Sequence, residues 1–547
     1  MITYRHTWCI TLLLTLAISG TILALEFPTG FYSPDVSYNT AKILRASEGE
    51  FFIDPFIGIP TIYPSLYHFC FGLLKRFLDF DSLQIVQLIM LFDFIGLFAA
   101  FFYCARAFFN NTEETSLCVL ALPLIFYAPT GRYILYAQPS AFSYVFLVFG
   151  IGALYKYFMS PRLIYLALGG FLLSFAVNIW WINAFVVFPM LLLLIYYIIR
   201  RGPIPRLSHV FVFILALLLP CIYTAWQFYN IWDILPHYFA GTSEKIEFPR
   251  SITDLITNFL NKGNLPFFDS FYFWDFSKGT LASTSVPDRV KLLYSLLSIV
   301  HYFLLVLPFN LLLVAYVCWM LLRKDKLILH DARLLRTLPI GGFFILVCSI
   351  GAVADKGKLW RVHFIVYVMF LLFAYKTLLL SISSERLRKL FIAINIASVF
   401  SLIFSVTFSP RLFTSRIPEN DNAIVQFISS IQNHSSERIF MLVYGMHRTA
   451  QFVTFQSFNE SLDGSSHHAD PIAASKIHND FLTIKEKRKD WPNVLRERNI
   501  KWFIFRISEP EELAVFRQYQ NDGSIILRNR DWIVLAMNIY SLKNDGE

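Results

Sequence analysis

The run LIYLALGGFLLSFAVNIWWINAFVVFPMLLLLIYYII, Leu163–Ile199, contains no Asp, Glu, Lys or Arg. A helix rises 1.5 Å per residue, so about 20 apolar residues cross the roughly 30 Å of a bilayer's hydrocarbon. The run therefore holds two crossings, with a break near Trp180-Trp181. Leu292–Leu322 is a second block of the same kind. Over all 547 residues, 56% are hydrophobic, 17% aromatic and only 16% charged. A soluble domain carries about a quarter charged residues to keep its surface in water. The chain is thus read as a polytopic membrane protein.

The net charge of +9 is not a nucleic-acid footprint, because much of it sits in short loops between apolar blocks. Lys and Arg in such loops mark the cytoplasmic side. All seven cysteines precede residue 410, so the tail has neither a disulfide framework nor zinc-ligand spacing. Thr7–Leu25 follows Arg5 and His6 like a signal peptide. Its apolar run is long and no small-residue cleavage site follows, so it reads as a retained first helix.

Loop charge sets the topology. Arg200–Arg206, Arg323–Arg336 and Ser384–Lys389 are dense in Lys and Arg and face the cytoplasm, as do Lys156–Arg162 and Arg106–Glu114. About eleven spans result, near 7–25, 83–105, 115–129, 136–155, 162–178, 181–199, 207–229, 291–322, 338–354, 361–381 and 388–408. Ile62–Phe80 is excluded, since one more span there would turn every basic loop outward. Its Leu66, Phe69, Leu73, Leu74, Phe77 and Leu78 share one helical face, with Ser65, His68, Gly72, Lys75, Arg76 and Asp79 opposite. That pattern predicts an amphipathic helix lying on the outer membrane surface.

The expected fold is a membrane all-α bundle of about 11 transmembrane helices with a C-terminal extracytoplasmic α/β domain. Residues 1–409 form the membrane domain, with outer loops at 26–82 and 230–290, and residues 410–547 form the soluble domain. In the tail, strands are expected at Arg438–Tyr444, Lys501–Ile507, Ser524–Leu527 and Trp532–Tyr540. Helices are expected at Asn422–Ile431 and Pro510–Tyr519.

Chemistry points to the first outer loop. Ser33 followed by Pro34 is a helix start, with Ser at the cap and Pro at the first helical position, and Gly49 is a stop. Asp35 then sits in the first turn, where the helix dipole favours its ionised form. A carboxylate held ionised at a membrane interface can act as a general base toward a hydroxyl; Asp in a first turn also serves stability alone. Late in the chain, Lys356, Lys358, Arg361 and His363 cluster on the same outer side, against the positive-inside rule. An anionic ligand such as a lipid phosphate explains them, with Arg361 suited to fork-like contact; snorkelling to headgroups is the blander reading. Asn178, Trp180, Trp181 and Asn183 fall at an outer helix end, as an aromatic belt or a sugar lining.

In their order and placement these pieces resemble the GT-C superfamily of membrane glycosyltransferases, above all the branch with protein O-mannosyltransferases and lipid A aminoarabinose transferases. The likeness rests on an early outer loop with Pro34-Asp35, Asp54 ahead of Tyr63-Pro64, many spans, a late outer loop leading to Arg361, and an extracytoplasmic tail. Members closest to the mannosyltransferases often carry an Asp-Glu pair, whereas Val36 follows Asp35 here.

The resemblance implies an enzyme that uses a polyprenyl-phosphate sugar donor and a lipid, glycan or protein acceptor in a bacterial inner membrane. It implies Asp35 as catalytic base, Asp54 as the second catalytic carboxylate, and Arg361 with Lys358 and His363 on the donor phosphate. No spacing demands a metal, although two carboxylates in one loop could share a divalent ion. The alternative is a transporter or flippase of a lipid-linked saccharide, which places ionisable residues inside the spans. Between their ends these spans are nearly free of charge apart from Asp93.

Overall fold

The computed structural model describes residues 34–54, 60–80, 82–108, 138–184, 207–235 and 471–538. Shorter described runs lie at 187–188, 191, 274–275, 280–281, 423–424, 427, 430–431, 438–442 and 457–458. The helices are α1 (Pro34–Ser47), α2 (Leu66–Leu78), α3 (Ser82–Phe108), α4 (Pro139–Met159), α5 (Leu163–Ile179), α6 (Leu207–Asn230), α7 (Pro471–Lys485), α8 (Trp491–Arg498) and α9 (Pro510–Tyr519). A two-residue hairpin pairs β1 (Trp274–Asp275) with β2 (Thr280–Leu281). The other strands are β3 (Arg438–Met441), β4 (Ser457–Phe458), β5 (Ile500–Arg506), β6 (Gly523–Arg528) and β7 (Trp532–Met537). The chain divides into two compact units, residues 1–28, 88–222 and 245–414 in one and residues 29–87, 223–244 and 415–547 in the other.

Gln84–Ala107, Pro139–Tyr157 and Leu207–Asn230 are long and apolar enough to cross a membrane, and Leu163–Ile179 is a shorter apolar helix. They fall on the spans expected at 83–105, 136–155, 207–229 and 162–178. The other expected spans lie wholly or mostly outside the described residues. Within the first unit the helices approach through glycine, as membrane helices do when no hydrophobic drive separates them from lipid. A Cβ on Gly150 would lie 2.8 Å from Leu173 Cγ, and one on Gly169 would lie 2.6 Å from Leu154 Cδ2. A Cβ on Gly152 would lie 3.0 Å from the Cys104 Cα on α3.

Polar groups at the helix ends are bonded among themselves. Asn178 Nδ2 donates to Ser174 O at 2.8 Å, and Ser174 Oγ donates to Leu217 O at 2.6 Å. Asn183 Nδ2 donates to Ser143 Oγ and to Ala176 O, each at 2.9 Å. Both asparagines are buried. Asn183 thereby joins α4 to the end of α5, whereas the Asn178 bond to Ser174 O stays within α5.

In the second unit the sheet order is β4-β3-β5-β7-β6, with β3 parallel to β4 and β5, and β7 antiparallel to β5 and β6. The side-chain period of 2 splits each strand between two cores. Phe440, Phe503, Phe505, Ile533 and Leu535 face α7–α9, where Phe481, Leu495, Phe516 and Tyr519 close the core. Ile439, Met441, Ile504, Trp532 and Val534 form the other face, and Tyr38, Ala41 and Leu44 of α1 pack on it together with Ile424 and Ile431. One side of the tail's sheet is thus covered by α1. Burial on both faces also explains why β5, Ile-Lys-Trp-Phe-Ile-Phe-Arg, is nearly continuously apolar.

The surface helix α2 carries a finding that its hydrophobic pattern concealed. Ser65, His68 and Gly72, from its less apolar face, are buried, whereas Phe77 is 81% exposed. Gly72 is the reason. A Cβ there would sit 2.7 Å from the Ala46 Cβ and 2.9 Å from the Ala46 and Ser47 backbone, so α2 lies directly on α1. Ser65, His68 and Gly72 of the polar stripe are enclosed, as is Leu66 of the apolar face, while Arg76, Phe77, Leu78 and Asp79 at the far end are exposed.

Candidate functional site

α1 begins at Pro34, and Gly49 stands beyond its end with φ at +98°. Only glycine takes that conformation without a Cβ clash. Asp35 lies in the first helical turn and Arg45 in the last, both in the sense that complements the helix dipole. Positions 35, 38–39 and 42 recur at helical spacing and share one face of α1.

The described part of that face is polar and closed from water. Lys42, Asn39 and Asp54 are 0%, 3% and 0% exposed. Tyr38 donates its hydroxyl proton to Asp54 Oδ2 at 3.3 Å. Lys42 Nζ donates to Tyr63 O at 3.4 Å and lies 4.8 Å from the centre of the Tyr63 ring. His68 donates through Nε2 to Asn39 Oδ1 at 2.9 Å, which fixes its tautomer. The segment Phe51–Asp54 closes the group through an antiparallel bridge between Ile53 and Pro60 and a Thr61 N–H bond to Phe52 O at 2.8 Å.

The electrostatics follow from burial. Loss of water pushes the Lys42 ammonium well below its ordinary range, and the Asp54 carboxylate pulls it partly back. Burial raises the Tyr38 phenol, and the negative charge of Asp54 raises it further. Burial lowers His68, with the neighbouring Lys42 charge acting in the same direction, so the imidazole is neutral. Asp54 therefore accepts the Tyr38 hydroxyl inside the loop.

The last turns of α6 brace the same loop. Gln227 Nε2 donates to Tyr63 O at 2.8 Å, and Ser65 N–H donates to Gln227 Oε1 at 3.3 Å. Ser65 Oγ and the Tyr223 hydroxyl bond at 2.9 Å. Phe51, Phe52 and Phe69 pack edge-on or tilted against Tyr223 and Trp226. The Tyr63-Pro64 element is thus held at its carbonyl by both Lys42 and Gln227.

Of the residues expected at the site, Asp35 is placed on α1 by its backbone, and Asp54 is enclosed beside Tyr38 and Lys42. Arg361, Lys358 and His363 lie outside the described residues, as does most of the loop at 230–290. Lys42, Asn39 and His68 were not singled out as site residues from the sequence. Their signal was present as polar positions at helical spacing on α1 and on the less apolar face of α2. Among the described residues no three His, Cys, Asp or Glu side chains gather as a metal site.

The chain shares its fold along nearly its whole length with a solved structure. ArnT from Cupriavidus metallidurans, solved bound to undecaprenyl phosphate, aligns at a TM-score of 0.50 and 12% identity, covering 96% of this chain and 97% of that one. The oligosaccharyltransferase AglB from Archaeoglobus fulgidus, in complex with an inhibitory peptide and a dolichol-phosphate, aligns at 0.47 and 11% identity over 98% of this chain and 75% of its own. The arabinofuranosyltransferase AftD from Mycobacteria aligns at 0.46 and 13% identity over 96% of this chain and 40% of its own. No family model and no curated protein matches the sequence.

Proposed function

We propose that the protein is an integral membrane glycosyltransferase that moves one sugar from a polyprenyl-phosphate donor to an acceptor outside the cytoplasm. The observation that carries this reading is the fold shared along nearly the whole chain with ArnT, a protein solved with undecaprenyl phosphate bound. Asp35 adds support, since it stands in the first turn of α1 where the dipole keeps a carboxylate ionised.

The reaction is a single displacement. The acceptor hydroxyl oxygen forms a bond to the anomeric carbon while the bond from that carbon to the phosphate oxygen breaks. The electron pair leaves with the lipid phosphate, already a stable anion, so little acid catalysis is required. Asp35 takes the proton that the acceptor hydroxyl loses. Arg361, with Lys358 and His363, takes the role of stabilising charge on the departing phosphate. No step is routed through a metal ion.

A transporter reading would draw on Asp93, the one Asp, Glu, Lys or Arg away from the ends of the four described apolar helices. Its side chain is 0% exposed and has no hydrogen-bond partner among the described residues. One enclosed carboxyl is less than the chain of ionisable groups a transport path uses. Transfer of label from radiolabelled polyprenyl-phosphate sugars to a broad extract of acceptors tests the proposal in membranes carrying the folded wild type or Arg361→Ala. Transfer by the wild type and its loss in the variant is the expected result. Absence of transfer from every donor contradicts the enzyme reading.

A further inference from the structure

Gln227, near the end of α6, is 2% exposed and spends both ends of its side-chain amide on the backbone around Pro64. Nε2 donates to Tyr63 O at 2.8 Å, and Oε1 accepts the Ser65 N–H at 3.3 Å. Proline has no N–H of its own, so this corner cannot pair as a regular strand does, and one side chain takes the place of the missing neighbour. One turn earlier on α6, the Tyr223 hydroxyl bonds Ser65 Oγ at 2.9 Å.

The other side of the corner meets α1. The Tyr63 carbonyl also accepts from Lys42 Nζ at 3.4 Å, and the Tyr63 ring stands edge-on to Tyr38 with centres 5.5 Å apart. Just beyond the corner, His68 Nε2 bonds Asn39 Oδ1 at 2.9 Å. Ala41 and Leu44 of the same helix pack on the sheet by apolar contact, which has no preferred direction. Hydrogen bonds do have one, so the polar contacts at Asn39 and Lys42 set the register of α1. Asp35 lies one turn before Tyr38 on that helix.

We propose that Gln227 is a positioning residue: it docks the Tyr63-Pro64-Ser65 corner on the end of α6, and the corner sets the register of α1 and with it the place of Asp35. The catalytic part of this inference rests on the reading of Asp35 as the base; the structural part does not.

Gln227→Met keeps the length of the side chain and removes both bonds, which leaves the buried Ser65 N–H without its acceptor. In the full chain in nanodiscs, the Ser65 amide and residues 34–47 should then exchange about tenfold faster. The kcat for transfer should fall about tenfold, with the donor KM nearly unchanged. Val515→Ala weakens the core on the opposite face of the sheet and should leave kcat at the wild-type value. If Gln227→Met does not fold, the same comparison is read in Gln227→Asn, whose amide is one methylene too short to reach both backbone groups.

Faster exchange at Ser65 with wild-type exchange over 34–47 would show that the corner does not hold α1 and overturn the proposal. So would wild-type exchange at Ser65 itself. Faster exchange in both segments with wild-type kcat would overturn the catalytic part. Exchange needs no substrate, so the structural part is decided even if no sugar donor is used, whereas Asp35→Asn with wild-type exchange tests the base separately.

Discussion

Leu44→Ala tests whether α1 and the tail share one core. Leu44 is 8% exposed and belongs to the cluster of Tyr38, Ala41, Ile439, Met441, Ile504, Trp532 and Val534. Truncating a buried leucine costs about 2–5 kcal/mol, from lost transfer energy plus the cavity left behind. With about 3 kcal/mol as the central value and about 1.4 kcal/mol per factor of ten, local opening becomes about a hundredfold more frequent. The assay is hydrogen exchange with mass spectrometry on the full chain in nanodiscs, read over residues 34–47 and over β7, Trp532–Met537. If the sheet's second face is closed by α1, a change at position 44 must raise exchange in β7, nearly five hundred residues away in sequence. Val515→Ala, in the core on the opposite face, is the comparison and should loosen α9 before α1. Faster exchange in α1 with wild-type exchange in β7 would refute the shared core.

Three further outcomes are expected. Gly72→Ala places a Cβ within 2.7–2.9 Å of Ala46 and Ser47, so α1 and α2 must separate and the melting temperature in detergent should fall by the equivalent of about 1–3 kcal/mol. Glu512 is 5% exposed and burial pushes its carboxyl up to about 7, against the bond it accepts from the Arg506 N–H at 2.6 Å. Its folded form holds the proton more tightly than the unfolded chain, so this term favours the tail's fold below about pH 4.5 and is lost as pH rises to about 7. The loss amounts to up to roughly 3 kcal/mol. Glu512→Gln should therefore raise the melting temperature at pH 8 and change it little at pH 4.5, as thermal scans at the two pH values will show. Gly150→Leu drives a side chain into Leu173, 2.8 Å from where a Cβ would stand, and should lower the yield of folded protein in detergent chromatography.

The membrane class was legible because apolar length is a direct physical requirement, and helices α3, α4, α5 and α6 lie on spans expected from it. α1 was legible to within two residues, because proline at its start and glycine after its end act locally. α9 was found at Pro510–Tyr519 as expected, while α7 and α8 were not expected. The packing of α1 on the sheet could not be read, since Tyr38, Ala41 and Leu44 make an apolar stripe that is the same whether it meets lipid or strands. On α2 the pattern separated two faces without showing what the less apolar one meets: Gly72 is what allows close approach to Ala46, and His68 bonds Asn39. At the site, Asp35 was visible from its position in the first turn, whereas the burial of Lys42 against Tyr63 depends on the fold-back of residues 51–63, which no local pattern encodes.

The central claim is that a sugar leaves a lipid phosphate while Asp35 takes the acceptor's proton. The most direct measurement is release of free polyprenyl phosphate from a labelled polyprenyl-phosphate sugar in proteoliposomes with acceptor present, for the wild type and for Asp35→Asn with wild-type exchange over residues 34–47. The account predicts acceptor-dependent release by the wild type and a drop of about a hundredfold in the variant, about 2.7 kcal/mol of barrier. Equal release by Asp35→Asn, or none by the wild type with any donor, would contradict it.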